Sequence, residues 1–493
     1  MTRNRTILVT IGIMFSLFLA SMESTVVATA MPTIVGQLGG LEHYSWVFAA
    51  FMLASTTSVP LYGKLSDIYG RRRIYVIAMA LFLIGSVMSG LANSMTQLIF
   101  ARALQGLGAG GIQPLAFILI GEMFSLQQRA KMQGFFSSVW GVSSITGPLL
   151  GGFLVDQLSW RWVFYINVLP GLLAAALVAL AWREQAQSHE RPAVDYIGAA
   201  LLTSSVVTLL LGFMEFGTFN SWILIATAAA LFIALLWVEQ RAADPILPLQ
   251  LFRDRLFSTA VAHGIFTGWA LFGIISFIPL FVQAVMGTSA TQAGITITPM
   301  LLGWVTASII GMRLIMTVGH RKLGLIGTSL FVMGAFLMTL IGAGSSQIMM
   351  MVFVTLMGVG MGLSIPSFLV AVQTTVERRN LGTATSMLQF SRSIGGTLGV
   401  SAMGAALSIR LASNLNASGL DPKLVDQLLD PLSTPQAVVI DAGVRLAMAN
   451  AIHLVFVVAF VSAALGLAAV FFTPRKQLTE ITPESEPSLI SAD

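Results

Sequence analysis

The sequence predicts an all-α polytopic membrane protein in which two six-helix halves flank two further transmembrane helices. Composition, recurrent apolar runs and an internal repeat predict it. Of 493 residues, 56% are hydrophobic and only 10% charged. A soluble domain carries about 25% charged residues, so a chain this apolar needs a lipid solvent. The absence of cysteine removes disulfides, thiolate chemistry and cysteine metal sites. The formal charge of +5 reads as basic loops on one membrane face rather than a nucleic-acid surface. No cofactor is implied.

Apolar runs long enough to cross a hydrocarbon core of roughly 30 Å recur from end to end. The first six lie near 7–31, 44–63, 74–92, 96–120, 132–155 and 161–182, an intervening pair near 194–213 and 221–239, and the last six near 257–285, 291–313, 323–343, 346–371, 382–406 and 448–472. The first resembles a secretory signal, with Arg3 and Arg5 before Ile7, but no small-residue cleavage site follows. It is read as a span. Fourteen spans place both termini on one side. With that side cytoplasmic, inner segments hold 19 Lys or Arg and outer segments four: Arg161, Arg410, Lys423 and Arg445. The positive-inside rule selects this orientation. The expected division is 1–182 for the first half, 183–256 for the inserted pair and its linkers, and 257–473 for the second half, with an outer loop at about 407–447. A tail at 474–493, acidic and proline-containing, is expected to be disordered.

The repeat supplies the architecture. "LQGLGAGGIQP" (104–114) matches "LMGVGMGLSIP" (356–366) at an offset of 252, pairing Gly106, Gly108, Gly110 and Pro114 with Gly358, Gly360, Gly362 and Pro366. Gly147 and Gly151 pair with Gly395 and Gly399 at an offset of 248. "GKLSDIYGRRR" (63–73) has a worn counterpart in "GMRLIMTVGHRK" (311–322), which lacks the aspartate. Two homologous halves about a central cavity are the layout of an alternating-access transporter.

Four motifs carry a resemblance that covers nearly the whole chain: "GKLSDIYGRRR" between spans two and three, "RALQGLGAGG" in span four, "GFFSSVWGVSSITGPLLGG" in span five and "MESTVVATAMPTI" in span one. The chain resembles the fourteen-span drug:proton antiporters of the major facilitator superfamily. It departs from their pattern at Ser143, where glycine is expected, and at Glu23, where aspartate is more usual. The resemblance implies the major facilitator fold and a proton-coupled multidrug exporter of a bacterial cytoplasmic membrane, a monomeric secondary transporter and not an enzyme. Its partners would be protons, the lipid bilayer and small-molecule drugs or amphipathic compounds, and no nucleic acid.

Physics adds a reading of each motif. Gly63 and Gly70 permit a tight turn, and Asp67 among Lys64, Arg71, Arg72 and Arg73 is placed to cap a helix N-terminus of the other half. These residues form a candidate conformational switch, broken when the halves rock. Arg102 inside span four costs roughly 2.5–3.5 kcal/mol on insertion scales and needs an interior partner. With Gln105 beside it, it is a candidate for proton coupling to a carboxylate. Gly147, Pro148, Gly151 and Gly152 of span five offer a stripe for close, bendable packing. Glu23 lies sixteen residues past Ile7, about 24 Å along a helix. There it must face a wet cavity or stay protonated. It is the candidate coupling acid, and also a candidate attractor of cationic drugs.

Gln113, Trp140, Gln389 and Arg392 are further cavity candidates by span position. Glu122 reads as a partner of loop arginines, Glu215 as solvated, and His263 and His453 as structural. With 25 Met and 31 Phe against six Tyr, the cavity is expected to be soft and apolar, suited to amphipathic or lipophilic compounds rather than sugars. No Gly-x4-Gly-Lys-Ser/Thr loop occurs, which argues against direct ATP drive. An importer of the same fold, or an exporter of one lipid, siderophore or metabolite, would share these features. A membrane sensor would have no need of the intramembrane charges.

Overall fold

In the computed structural model, residues 3–38, 44–182, 195–214, 218–242, 245, 247, 249–288, 290–377, 380–417 and 442–475 are described. Short polar side chains and glycines set where helices begin. The Ser94 hydroxyl accepts from the amide of Gln97 (3.3 Å), Thr218 from Ser221 (3.2 Å) and Asp254 from Leu256 (2.6 Å), each satisfying a first-turn donor. Gly70 and Gly319 adopt φ of +93° and +83°, a region open to glycine alone at little cost, and each reverses the chain immediately before a helix.

The first half comprises α1 (Arg3–Leu38), α2 (Tyr44–Tyr69), α3 (Arg71–Leu91), α4 (Met95–Met123), α5 (Leu126–Gln157), the one-turn α6 (Trp162–Tyr165) and α7 (Val168–Ala181). The inserted pair is α8 (Tyr196–Met214) and α9 (Phe219–Glu239). The second half comprises α10 (Arg255–Leu280), continued by a π turn at Phe281–Val285, then α11 (Ala290–Val318), α12 (His320–Met338), α13 (Gln347–Thr375), α14 (Leu381–Ala417) and α15 (Ala442–Phe471). Among the described residues all regular structure is helical, and thirteen segments are long and apolar enough to cross a membrane. The span expected at 132–155 forms within α5, a 32-residue helix several of whose side chains lie outside the described set. Large apolar side chains such as Leu169, Leu180 and Phe219 point outward, as a lipid-facing surface requires.

The repeat is visible in the packing. In the first half α4 packs on α2 and α3, and α1 on α5 and α7; in the second α13 packs on α11 and α12, and α10 on α14 and α15. The contacts between halves obey the same symmetry, α2 on α14 and α5 on α11. The α8–α9 hairpin packs beside this bundle, with α8 touching both α2 and α14.

Glycine makes the close crossings possible. A Cβ at Gly106 would stand 3.0 Å from the Cα of Phe51 on α2, and one at Gly358 would stand 3.0 Å from the Cα of Met300 on α11. The same crossing is thus built twice. Overpacking costs roughly 1–3 kcal/mol, so Gly358→Val is expected to lower the melting temperature of the detergent-purified protein by several degrees. Gly344→Val, at a position with nothing within 4 Å, is expected to leave it unchanged. Equal melting of the two variants would show that the α11–α13 crossing is not tight.

Three expected boundaries move. The outer loop placed at about 407–447 is shorter, because α14 continues to Ala417 and α15 starts at Ala442. Residues 418–441 of that loop, linker residues 183–194, Glu215 and the tail beyond Arg475 lie outside the described residues. The span expected at 161–182 is interrupted at Ile166–Asn167. Pro170 has no amide hydrogen to give the carbonyl four residues back, and the interruption falls there.

Candidate functional site

The interruption has a chemical consequence. Asn167, at the start of α7, is fully buried and its amide nitrogen donates to Oε2 of Glu23 at 2.7 Å. The other carboxylate oxygen of Glu23 takes an ion pair from Nη1 of Arg102 on α4. That nitrogen also lies 2.6 Å from Oε1 of Gln105, whose amide donates to the Ser86 hydroxyl at 2.7 Å. The Asn167 amide reaches the same hydroxyl at 3.3 Å. The Arg102 guanidinium stacks 4.2 Å from the Phe51 ring centre. Glu23 and Arg102 are each about 1% exposed.

Three helices of one half, α1, α4 and α7, therefore meet on one carboxylate, and α3 joins them through Ser86. Removing one partner of such a buried pair strands a charge, at a cost of roughly 3–5 kcal/mol. A proton on Glu23 would likewise leave Arg102 without its counter-charge. The sequence located Glu23, Arg102 and Gln105. It missed Asn167 and Ser86, although an amide within the apolar run of "YINVLPG" was a signal.

A second cluster joins the halves at the end of the bundle that carries Arg71–Arg73. Asp67 of α2 accepts from the backbone amides of Gly382 (3.2 Å) and Thr383 (2.9 Å) and from the Thr383 hydroxyl (3.0 Å), capping the first turn of α14. Its Oδ1 is also held by Nη2 of Arg71 at 2.8 Å. Nε of Arg71 stands 3.1 Å from Glu122, so the arginine bridges two acids. Close by, the Gln373 amide donates to the carbonyl of Phe117 (3.2 Å), and Arg129 donates to the carbonyl of Gln373 (3.3 Å). Gly63 lets the helices meet: a Cβ there would lie 2.8 Å from the carbonyl of Gly382 and collide with Ser386. The hydrogen bonds just named that join the halves all lie at this end.

Arg71 and Arg72, paired in the sequence reading, part company. Arg71 is buried in the cluster and Arg72 is exposed. No acid occurs between Gly311 and Gly319, and the N-terminus of α5, the symmetry mate of α14, is served by its own Gln128, which accepts from the amide of Ser125 at 3.2 Å. In α5, Gly147 and Gly151 are buried, whereas a Cβ at Gly152 would meet nothing within 4 Å, so Gly152 needs no glycine for packing. The side chains of Pro148 and Trp140 lie outside the described residues. Gly141 brings α5 against α11, where a Cβ would lie 3.0 Å from Val305.

The third feature is a narrow pocket whose lining includes Phe117 of α4, His263 of α10, Phe368 of α13 and Leu388, Gln389 and Arg392 of α14. Gln389 and Arg392 both line it, and Arg392 Nη2 donates to Gln389 Oε1 at 2.7 Å. His263 lies 3.1 Å from the Thr328 hydroxyl. Glu23 and Gln113 do not line this pocket. Glu23 was expected to face the cavity and attract cationic drugs; its pairing with Arg102 and Asn167 instead removes it from the surface.

The family model of the Major Facilitator Superfamily matches residues 13–400. The multidrug transporter protein MdtP of Bacillus subtilis (strain 168) is 39% identical over 427 residues, covering 85% of this chain and 78% of that one. Multidrug resistance protein 3 of the same organism is 36% identical over 490 residues, covering 95% of each. Among solved structures, the human organic anion transporter MFSD10 (TETRAN) aligns with a TM-score of 0.65 at 16% identity, over 96% of this chain and 100% of that chain. The proton:xylose symporter XylE aligns at 0.64 and 14% identity, over 96% and 97%. At such identities the structures share the fold alone.

Proposed function

Because the chain belongs to the Major Facilitator Superfamily, a family of transporters, we propose that it is a proton-coupled exporter of lipophilic drug-like molecules, working by alternating access as a drug:proton antiporter. The observation that carries the coupling is the buried Glu23–Arg102 pair with Asn167 and Gln105 around it. An intramembrane acid balanced by one arginine is a place where a single proton changes the charge of the bundle. The joined end, with Asp67 capping α14, supports a state in which the central cavity is shut on the basic-loop side, expected to be cytoplasmic. Opening that latch admits a drug from the inner side, and reforming it presents the drug to the other.

The energetics suffice. A potential of about 100 mV is worth roughly 2.3 kcal/mol per charge and one pH unit about 1.4 kcal/mol. One proton exchanged for one neutral molecule sustains roughly a several-hundredfold gradient.

The test uses purified protein in liposomes with an acidic lumen and a trapped pH dye. Adding ethidium, rhodamine 6G and neutral or acidic lipophilic compounds in turn is expected to discharge lumenal protons for several of them and for none in protein-free vesicles. Transport of labelled compounds without proton release would overturn the coupling while leaving transport intact. Silence across the panel would overturn multidrug export.

A further inference from the structure

Charge in the pocket points the opposite way from the drug class the sequence suggested. Arg392 is half-buried, and the one hydrogen bond described for it goes to Gln389. No carboxylate stands against it among the described residues. A guanidinium carries five donors in a planar fork, so most of its capacity has no partner among the described residues, and the residue lines the pocket. Most of the lining around it is apolar, with Phe117, Phe368 and Leu388, beside the polar His263 and Gln389. An arginine at such depth is expensive unless something offsets its charge, and here the protein leaves that to whatever enters.

The arginine is also held in place. A Cβ at Gly268 of α10 would stand 3.1 Å from the backbone carbonyl carbon of Arg392, and one at Gly399 of α14 would stand 2.7 Å from the Cα of Trp269 on α10. α10 and α14 are therefore locked together around this position, and the side chain rises from a rigid wall. A rigid base with a free fork is the arrangement that binds a planar anion through two parallel hydrogen bonds.

We propose that the pocket takes the carboxylate of a lipophilic acid or zwitterion, with Arg392 gripping the carboxylate and Phe117 and Phe368 covering the adjoining apolar body. Permanent cations without an acid group are poor ligands there. This deepens the export reading by naming the chemical class of the exported molecule, and it rests on that reading only for the word exported.

Binding is measured on the full-length protein in lipid nanodiscs by calorimetry, without any gradient. The probes are 1-naphthaleneacetic acid, its neutral amide, and 2-(1-naphthyl)ethyl-trimethylammonium. Wild type is expected to bind the acid at least tenfold tighter than the amide and the cation most weakly, since hydrogen bonds to charged groups are the strong ones. Arg392→Gln is expected to abolish the preference for the acid while leaving the amide's affinity unchanged, and Arg392→Lys, which keeps the charge but not the fork, to restore only part of it. Equal affinity for acid and amide, tightest binding of the cation, no binding of any probe, or an equal loss for all three in both variants would each overturn the proposal. Because no proton gradient is involved, a failure of proton coupling leaves this result standing, and a failure here leaves coupled export by another pocket open.

Discussion

Glu23→Gln is expected to reduce drug-driven proton release to the level of protein-free vesicles, the largest effect of any single substitution in this chain. Glutamine keeps the volume, and its carbonyl oxygen can still accept from Arg102, but it cannot take up or release a proton and leaves Arg102 without a counter-charge. Two readouts should therefore move together. Coupled transport disappears, and the thermal stability of the purified protein falls, since breaking a buried pair costs roughly 3–5 kcal/mol. The double variant Glu23→Gln/Arg102→Gln separates the causes. With both charges gone, stability is expected to recover substantially while proton release stays absent. A double variant that regained coupled transport would show that the proton is carried elsewhere. A Glu23→Gln protein that still released protons at the wild-type rate would remove the pair from the mechanism.

Asp67→Asn is expected to have the second largest effect, and on conformation rather than on proton chemistry. The aspartate receives three hydrogen bonds from the start of α14 and one from Arg71. Its charge also meets the positive end of α14. Hydrogen bonds to a charged group contribute about 1.5–3 kcal/mol each, and more is lost when a buried donor is left without a partner. Even the lower figure shifts an equilibrium between closed and open seams by roughly tenfold. The chain has no cysteine, so one introduced thiol reports alone. Ser386→Cys, at a fully buried position beneath Gly63, is expected to react slowly with a water-soluble maleimide in the parent and about ten times faster once Asp67→Asn is added. Efflux should slow in parallel, because each cycle must reclose this end. Identical labelling rates would mean that the cap does not hold the seam.

What could be seen in the sequence were the costly features. Glu23 and Arg102 stood out because charge within an apolar run needs a reason, Asp67 because it is a lone acid in a basic loop, and the glycines because they recur at a fixed offset. Symmetric packing of α2 on α4 and α11 on α13 was implicit in that repeat. Partners were less visible, since a contact depends on how each helix is rotated about its axis. Asn167 was passed over because residues 161–182 read as one continuous span, whereas Pro170, three residues on, interrupts the helix there. Ser86 is one of many small hydroxyls on membrane helices, most of which bond their own preceding turn, as Ser66 does to the carbonyl of Gly63 at 2.7 Å. Gly152 was misjudged in the other direction, since its place in a glycine stripe promised a contact that this conformation does not use. The extra turns of α14 could not be read because hydropathy marks where lipid ends, whereas a helix ends only where its hydrogen bonding does.

Arg102 and Phe117 stand on the same helix, fifteen residues apart, which is about 22 Å at the rise of an α-helix. One touches the acid and the other lines the pocket, and the acid itself is not part of that pocket. On the proposed antiport reading, proton and drug have separate seats along one helix, and a ternary complex of protein, proton and drug can form. In a pump with one shared seat, raising the acidity drives the apparent KM for the drug upward without limit. With two seats it climbs to a plateau, inhibition is mixed rather than competitive, and a proton that crosses while the pocket is vacant is wasted. On that reading, a measurable leak of protons in the absence of any drug is the expected kinetic signature.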